Sequence, residues 1–224
     1  MKRSDPLPYE TAKAYALRLL KENIVSLELE PGSQISENAL AAALGISRTP
    51  IREAISELEK VQLLEVHPQK KTAVTLIDYK LVEEASFMRS TMEEAVIGLV
   101  CEQRTEKDLI RFEENITLQK LYYKNGALEE LVKKDNEFHR FFFEISRKMV
   151  IYQLMQTLQP HFDRVRSLSL ITIPHDSVIE DHEAIFACIR EQNAPEAKKL
   201  IASHLLRYKI DAVSIQKAYP QYFV

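Results

Sequence analysis

The sequence predicts a mainly α-helical chain of two domains. Residues 1–77 are expected to form an N-terminal winged helix-turn-helix with a small β-hairpin wing, and residues 78–224 an all-α bundle of six to seven helices. Two short amphipathic patterns meeting at Gly45 predict the helix-turn-helix, and two β-branched segments around a polar turn predict the wing. From residue 78 onward only two glycines occur, Gly98 and Gly126, which favours continuous helices.

A tight corner between two helices is the first element that the residues define. Ser36 can cap a short helix, and Gly45 can end it because glycine adopts the left-handed conformation without strain. Ser47 can cap the next helix, whose first turn tolerates Pro50 because no amide hydrogen is needed there. The order of short helix, turn and second helix is that of a helix-turn-helix.

The start of the second helix carries two hydroxyl groups and two arginines: Ser47, Thr49, Arg48 and Arg52. In a helix-turn-helix, the N-terminal residues of the second helix contact base edges in the major groove of DNA. For an isolated stretch, a capped amphipathic helix with a solvated end would be the alternative. Because this stretch stands in the helix-turn-helix order, we predict that these four residues bind DNA.

The hydrophobic period changes after this helix. Leu64–His67 and Thr72–Ile77 read as two strands of a hairpin, with Lys70 and Lys71 at its tip. Lysines at such a tip can contact DNA phosphates, which adds affinity but no sequence readout. The alternative is an ordinary solvated turn. Beside a helix-turn-helix, we predict phosphate contacts for both lysines.

The bulk composition limits the classes of function. The net charge of −3 means that DNA affinity must come from a local arrangement of cations. Cys101 and Cys188 lie in apolar helical patterns without metal-type spacing, which favours a reducing compartment. No apolar run approaches the length that crosses a membrane. We therefore expect a cytoplasmic protein without a membrane partner.

Six helices can be placed in the second domain. Thr105, with Asp108 three residues later, predicts a capping box at the start of the second helix. Pro160 is expected to bend a long fourth helix, which a loop around Pro174 follows. The other helices are expected over about residues 79–102, 127–147, 177–192 and 195–217.

Four polar residues interrupt the apolar faces of these helices. Asp135 and His139 lie one turn apart on the third helix, His182 on the fifth and His204 on the sixth. A buried carboxylate or imidazole without a partner is unfavourable. Each histidine could simply hydrogen-bond a neighbour, but four such residues together favour a divalent cation held by all four. Their nitrogen and oxygen atoms suit zinc first, with nickel and manganese as alternatives.

The first part of the chain resembles the winged-helix domain of the GntR-type bacterial transcription regulators. The resemblance is carried by residues 31–74, PGSQISENALAAALGISRTPIREAISELEKVQLLEVHPQKKTAV, and above all by LGISRTPIREAI. It implies that Arg48, Thr49 and Arg52 contact operator DNA and that Ser47 binds a phosphate.

The second part resembles the FCD effector-binding domain of the FadR-like subfamily. The matching segments are DNEFH, EDHEAIFACI and SHLL. The resemblance implies that Asp135, His139, His182 and His204 bind a divalent metal ion that helps to hold a small carboxylate effector. It also implies that Arg89 pairs with the effector's carboxylate; the alternative is a solvated helix arginine.

A regulatory mechanism follows as a hypothesis. Two recognition helices fit a palindromic operator only in a dimer that spaces them about 34 Å apart, so the helical domain is expected to dimerise. Repression released by a small acid is the default, and activation is equally allowed.

Two alternatives are left open. The cluster could be the metal site of a hydrolase-like enzyme, but Glu183 points away from it and no other acid is expected on the metal-facing stripes. The metal could also be purely structural, in which case no organic acid would alter operator affinity.

Overall fold

The computed structural model describes residues 1–67, 72–172, 176–206 and 214–224, so the predicted wing-tip residues Lys70 and Lys71 lie outside the described residues. The chain divides into two compact units. The first unit comprises Met1–Glu83, Thr157–Ser169 and Ala212–Val224, and the second comprises Glu84–Gln156 and Leu170–Asp211. The division predicted at residues 77 and 78 stays a prediction.

The first unit contains a winged helix-turn-helix, which confirms this part of the predicted fold class. Its three strands form an antiparallel sheet in the order β1-β3-β2, in which Leu64 pairs with Val74 and Gln34 with Ala73. The short first strand is therefore an edge strand. The elements are α1 (Ala12–Val25), β1 (Gln34–Ile35), α2 (Glu37–Leu44), α3 (Arg48–Lys60), β2 (Leu64–Val66) and β3 (Thr72–Val74).

The corner between α2 and α3 forms for the predicted reasons, with one difference. The Ser36 hydroxyl accepts a hydrogen bond from the Ala39 amide, and Gly45 is left-handed with a φ of 67°. Ser47 occupies the N-cap of α3 in an extended conformation, but its hydroxyl makes no cap hydrogen bond. The opposite side of α3 is anchored in the core through Ile51, which is fully buried.

The C-terminal tail pairs with the segment that follows β3. The Ile77 amide donates to the Tyr222 carbonyl over 2.8 Å, and the Val224 amide donates to the Ile77 carbonyl over 3.2 Å. On the other side, the Thr75 amide donates to the Leu63 carbonyl over 3.2 Å. We call residues 75–77 the linker segment.

A buried arginine donates hydrogen bonds to two carbonyls of the linker segment. Arg164 is fully buried, and its Nη1 and Nη2 donate to the carbonyls of Thr75 and Leu76 over 2.7 and 3.5 Å. His161, on the same helix, lies 2.8 Å through Nε2 from the Val61 carbonyl at the end of α3. Residues distant in sequence are thus part of the unit that contains the helix-turn-helix.

The remaining helices follow the predicted order, with one correction. The capping box of Thr105 and Asp108 is present. The expected bent fourth helix is instead two helices, because the helical hydrogen bonding stops before Pro160, which lies in the first turn of the second one. The last helix is predicted over about residues 195–217; residues 207–213 lie outside the described residues, and residues 214–218 are helical. The helices are α4 (Tyr79–Gln103), α5 (Glu106–Lys124), α6 (Leu128–Ile145), α7 (Met149–Met155), α8 (Gln159–Thr172), α9 (Asp176–Arg190) and α10 (Ala194–Leu206).

Aromatic packing orients the third helix of the second unit. Phe112 of α5 contacts Phe138 and Phe141 of α6 edge-on, with ring centroids 5.3 and 5.4 Å apart. Phe138 also stacks on the ring of His182 at 4.2 Å. These contacts turn the face of α6 that carries His139 towards α9. Among the helices that the structure describes, none is long and apolar enough to span a lipid bilayer.

Candidate metal centre and nucleic-acid interface

Four polar side chains from three helices meet inside the second unit. Asp135 and His139 come from α6, His182 from α9 and His204 from α10. All four are buried, and one nitrogen or oxygen atom of each lies within 4.8 Å of the corresponding atoms of the others. The fold therefore brings together the four residues predicted as metal ligands.

The three histidines turn the same ring nitrogen towards one another. Nε2 of His204 lies 3.3 Å from Nε2 of His139 and 3.3 Å from Nε2 of His182. Oδ1 of Asp135 lies 3.7 Å from Nε2 of His182. These four atoms surround a common point, and all of them can act as ligands of a cation.

The other nitrogen of each ring, Nδ1, faces an oxygen atom. A carboxylate or a carbonyl oxygen can only accept, so Nδ1 of each ring carries the hydrogen. In a neutral imidazole, Nε2 then carries a lone pair. The Nδ1 contacts are His139 to Oε2 of Glu93 at 2.5 Å, His182 to Oε1 of Gln119 at 2.7 Å and His204 to Oδ2 of Asp181 at 3.1 Å.

Burial favours the neutral form of two of these rings. It lowers the pKa of His139, and it lowers the pKa of His182 well below the ordinary value of 6.5 with a further contribution from the charge of His204. Neutral rings at both positions direct their lone pairs at the same point. Lone pairs that face one another repel, whereas a cation bound between them would attract each of them.

Arg89, the predicted effector contact, lies beside this cluster in a buried ion pair. Its Nε donates to Oε1 of Glu93 over 2.7 Å, and both side chains are buried. Burial opposes the ionisation of Glu93, but the interactions with Arg89 and His139 together outweigh it and hold the pKa of the Glu93 carboxyl below its usual range. Glu93 is therefore an ionised acceptor for Nδ1 of His139.

The expectation that no further acid faces the cluster is wrong. Glu183 does point away, since its half-exposed side chain pairs with Lys120 at the surface. Glu93 and Asp181, however, both contact cluster histidines. The periodicity of one helix does not reveal which helices lie beside it. Two signals could have found these acids: the spacing of four residues between Arg89 and Glu93, and the position of Asp181 directly before a predicted ligand.

The residues predicted to bind DNA are all exposed where α3 begins, apart from the two lysines outside the described residues. Arg52 pairs through Nε with Oε2 of Glu37 at 2.7 Å, and Nη1 of Arg48 donates to Oδ1 of Asn38 over 3.3 Å. Exposed pairs of this kind contribute only about 0–1 kcal/mol, so a phosphate or a base edge can replace them. The exposed residues are Ser47, Arg48, Thr49 and Arg52.

Two protein families match the chain. Residues 12–74 match the gntR family of bacterial regulatory proteins, and residues 84–207 match the FCD domain. Both matches agree with the resemblances in the sequence. Neither family is one of enzymes, so the hydrolase-like alternative is not carried further.

The chain is similar to transcription regulators, and the similarity covers most of both chains. The HTH-type transcriptional repressor RspR of Escherichia coli is 25% identical over 88% of this chain and 87% of its own length. An HTH-type transcriptional regulator from an unstable DNA locus of Streptomyces ambofaciens is 29% identical over 91% of this chain and 86% of its own. The solved structure of E. coli McbR/YncC has the same fold, with a TM-score of 0.80, 20% identity, and coverage of 93% and 99% of the two chains.

Proposed function

Since this chain belongs to the transcription regulators that join a gntR-family DNA-binding domain to an FCD domain, we propose that it is a metal-dependent repressor released by a small carboxylate. It binds a palindromic operator as a homodimer. The metal is held by Asp135, His139, His182 and His204. The observation that carries the metal-dependent part is the convergence of three Nε2 atoms whose rings have their hydrogens on Nδ1.

The DNA-binding part is supported by the exposed start of α3. Arg48 and Arg52 are exposed there beside two hydroxyl groups, Ser47 and Thr49, and their present partners are weak surface contacts. The hydroxyl of Ser47 makes no cap hydrogen bond, so it can donate to a phosphate. Lys70 and Lys71 would add phosphate contacts at the wing tip. A dimer is needed because one recognition helix reads only one half of a palindrome.

The metal-binding part is supported by distances as well as by the choice of ligands. Zinc–nitrogen bonds of about 2.0–2.1 Å at tetrahedral angles would separate neighbouring nitrogens by roughly 3.3–3.4 Å. The two Nε2 separations of 3.3 Å fit this spacing. We therefore favour zinc, with nickel or manganese as alternatives. When bound, the ion would supply a Lewis-acidic position for a carboxylate oxygen.

Arg89 is the proposed second contact of the effector's carboxylate. Its guanidinium is buried and already bonded to Glu93, so the effector would have to share it with that carboxylate. Arginine can do this because its five N–H groups point in several directions. The effector would act on DNA affinity only to the extent that it prefers one dimer geometry over the other.

Selection of operator sequences from random duplex DNA, followed by titration, tests the DNA-binding part. Arg48→Ala should reduce binding to the selected operator more than to random DNA, because it removes a base-edge contact. Lys70→Ala should weaken both equally and reduce the salt slope by about one. Arg140→Ala, which removes an exposed arginine of α6 that pairs with Glu144, is the control. Equal losses for Arg48→Ala on both DNAs would contradict base readout.

Metal analysis and effector titration test the other part. We expect about one zinc per chain in the protein purified without chelators, and its loss in His139→Ala and His204→Ala. His67→Ala, at an exposed histidine that contacts Glu65, is the control and should retain zinc. One acid from a panel of small carboxylates should then release the operator only from the zinc form. Zinc without any acid response would favour the structural-metal alternative.

A further inference from the structure

Gln119 of α5 differs from the other two groups that face histidine Nδ1 atoms because it is neutral. Its side chain is fully buried, and its Oε1 lies 2.7 Å from Nδ1 of His182. An amide can present either its oxygen or its nitrogen to an imidazole. Which atom faces His182 decides which nitrogen of that ring carries the hydrogen.

A short chain of hydrogen bonds settles the orientation of this amide. Nδ2 of Asn115 lies 3.1 Å from the Lys134 carbonyl and 2.9 Å from Oε2 of Glu137. A carbonyl can only accept, so the Asn115 atom facing it must be the NH2 group, and Oδ1 of Asn115 must face Gln119. That oxygen requires a donor, and Nε2 of Gln119 lies 2.7 Å from it.

The orientation fixed at Asn115 therefore reaches the cluster. Because the NH2 group of Gln119 is used towards Asn115, its carbonyl oxygen is the atom that faces His182. The ring must then donate through Nδ1, and its Nε2 is left with a lone pair towards His204 and Asp135. This series of hydrogen bonds starts at the Lys134 backbone carbonyl, which can only accept. Exchanging the oxygen and nitrogen positions of the Gln119 amide alone would therefore place two acceptors or two donors against each other.

We propose that Gln119 is a positioning residue that, held by Asn115, keeps His182 in the tautomer and orientation required of a metal ligand. The proposal rests on the metal centre proposed above. Partners of this kind commonly change metal affinity by roughly 10–100-fold when they are removed. Gln119 does not itself contact the metal position.

Two substitutions at Gln119 and one matched control test the proposal. Gln119→Met has a similar length but only a weakly accepting thioether, so zinc affinity should fall roughly 10–100-fold. Gln119→Glu keeps an oxygen acceptor for Nδ1 of His182, so affinity should stay within about threefold of the wild type. Gln159→Met is the control, because Gln159 is also buried but bonds to Asp163 in the first unit.

Zinc affinity is measured by competition with a chromophoric chelator, and the tautomer by long-range ¹H–¹⁵N NMR of the zinc-free protein. We expect His182 to be protonated on Nδ1 in the wild type and to lose this preference in Gln119→Met. Protonation on Nε2 in the neutral wild-type ring would overturn the proposal. Equal zinc binding by the wild type and Gln119→Met would overturn it as well. A wild type that takes up no zinc would overturn the proposed function together with this role for Gln119.

Discussion

His161 in the first unit and His182 in the second are both buried, at 1% and 0% exposure, yet their ring nitrogens face different kinds of atom. Nε2 of His161 donates to the Val61 carbonyl, and its Nδ1 accepts from Nη2 of Arg164. His182 donates through Nδ1 and directs Nε2 at another histidine's Nε2. The His161 ring has an acceptor facing its N–H and a donor facing its lone pair. The His182 ring instead has a lone pair on Nε2 that faces the lone pair of another imidazole nitrogen. Burial alone therefore does not indicate a ligand, but converging lone pairs do.

The residues that contact His161 and His182 differ in the same way as the two rings. Arg164 is fully buried and donates to backbone carbonyls of Thr75 and Leu76, which remain in place whatever the surrounding side chains are. Burial lowers the pKa of Arg164 to about 10, so the guanidinium is still charged at neutral pH. We interpret this region as a structural network built on backbone acceptors, and the cluster around His182 as one that a cation completes.

Removal of the metal should have the largest effect on this comparison. A ligand at a thousand times its dissociation constant adds about 4 kcal/mol to the free energy of unfolding. Chelation of zinc should therefore lower the thermal stability of the protein strongly, as measured by calorimetry with and without chelator. Glu183→Gln, beside His182 in sequence but paired with Lys120 at the surface, should show the same loss as the wild type. If the zinc-loaded and the chelated protein had the same stability, the cluster around His182 would need no cation, like the region around His161.

Arg164→Met should have the next largest effect. The substitution leaves the linker carbonyls without a donor and changes the packing of a fully buried site, at an expected cost of about 3 kcal/mol in the free energy of unfolding by urea. Zinc content should not change, because Arg164 is not part of the cluster. Arg140→Met, at an exposed arginine paired with Glu144, should cost less than about 1 kcal/mol. A variant that lost zinc would contradict the separation of the two regions.

A single buried histidine should have the smallest effect, which appears in the pH dependence of stability. Burial lowers the pKa of His139, His161 and His182 from the ordinary 6.5. Below pH 6.5, the unfolded chain takes up protons that these folded rings do not, so the free energy of unfolding of the zinc-free protein should fall as the pH falls. Each ring contributes up to about 1.4 kcal/mol per pH unit until the pH reaches its own folded pKa.

His161→Asn isolates one of these contributions. Urea titrations between pH 5 and 8 should give a shallower slope for this variant, with and without zinc, because His161 is not a proposed ligand. An unchanged slope would mean that His161 titrates alike in the folded and unfolded chain.

The sequence predicted the elements whose signals are local. Gly45 ends α2 and the Thr105 capping box starts α5, since both depend on residues within one turn. The four cluster residues were found because each interrupts the apolar face of its own helix. Their roles as metal ligands, like those of the DNA-contacting residues, stay predictions.

The parts that the sequence did not predict depend on contacts between distant elements. Gln119 could not be assigned to the cluster without knowing that α5 lies beside α9. Arg164 and His161 bond to backbone carbonyls, which carry no sequence signal because every residue has one. A bend at Pro160 was expected, whereas the helix is interrupted before this residue.

The hydrogen bonds that the linker segment makes with residues distant in sequence have a consequence for chimeric regulators. Ile77 pairs with the C-terminal tail, and Arg164 of α8 binds the two residues before it. A DNA-binding domain that is cut directly after this segment and fused to another protein would lack both the C-terminal tail and Arg164. A chimera that also carries α8 and the last residues of the donor should resist limited proteolysis at the junction, and the shorter graft should be cleaved there.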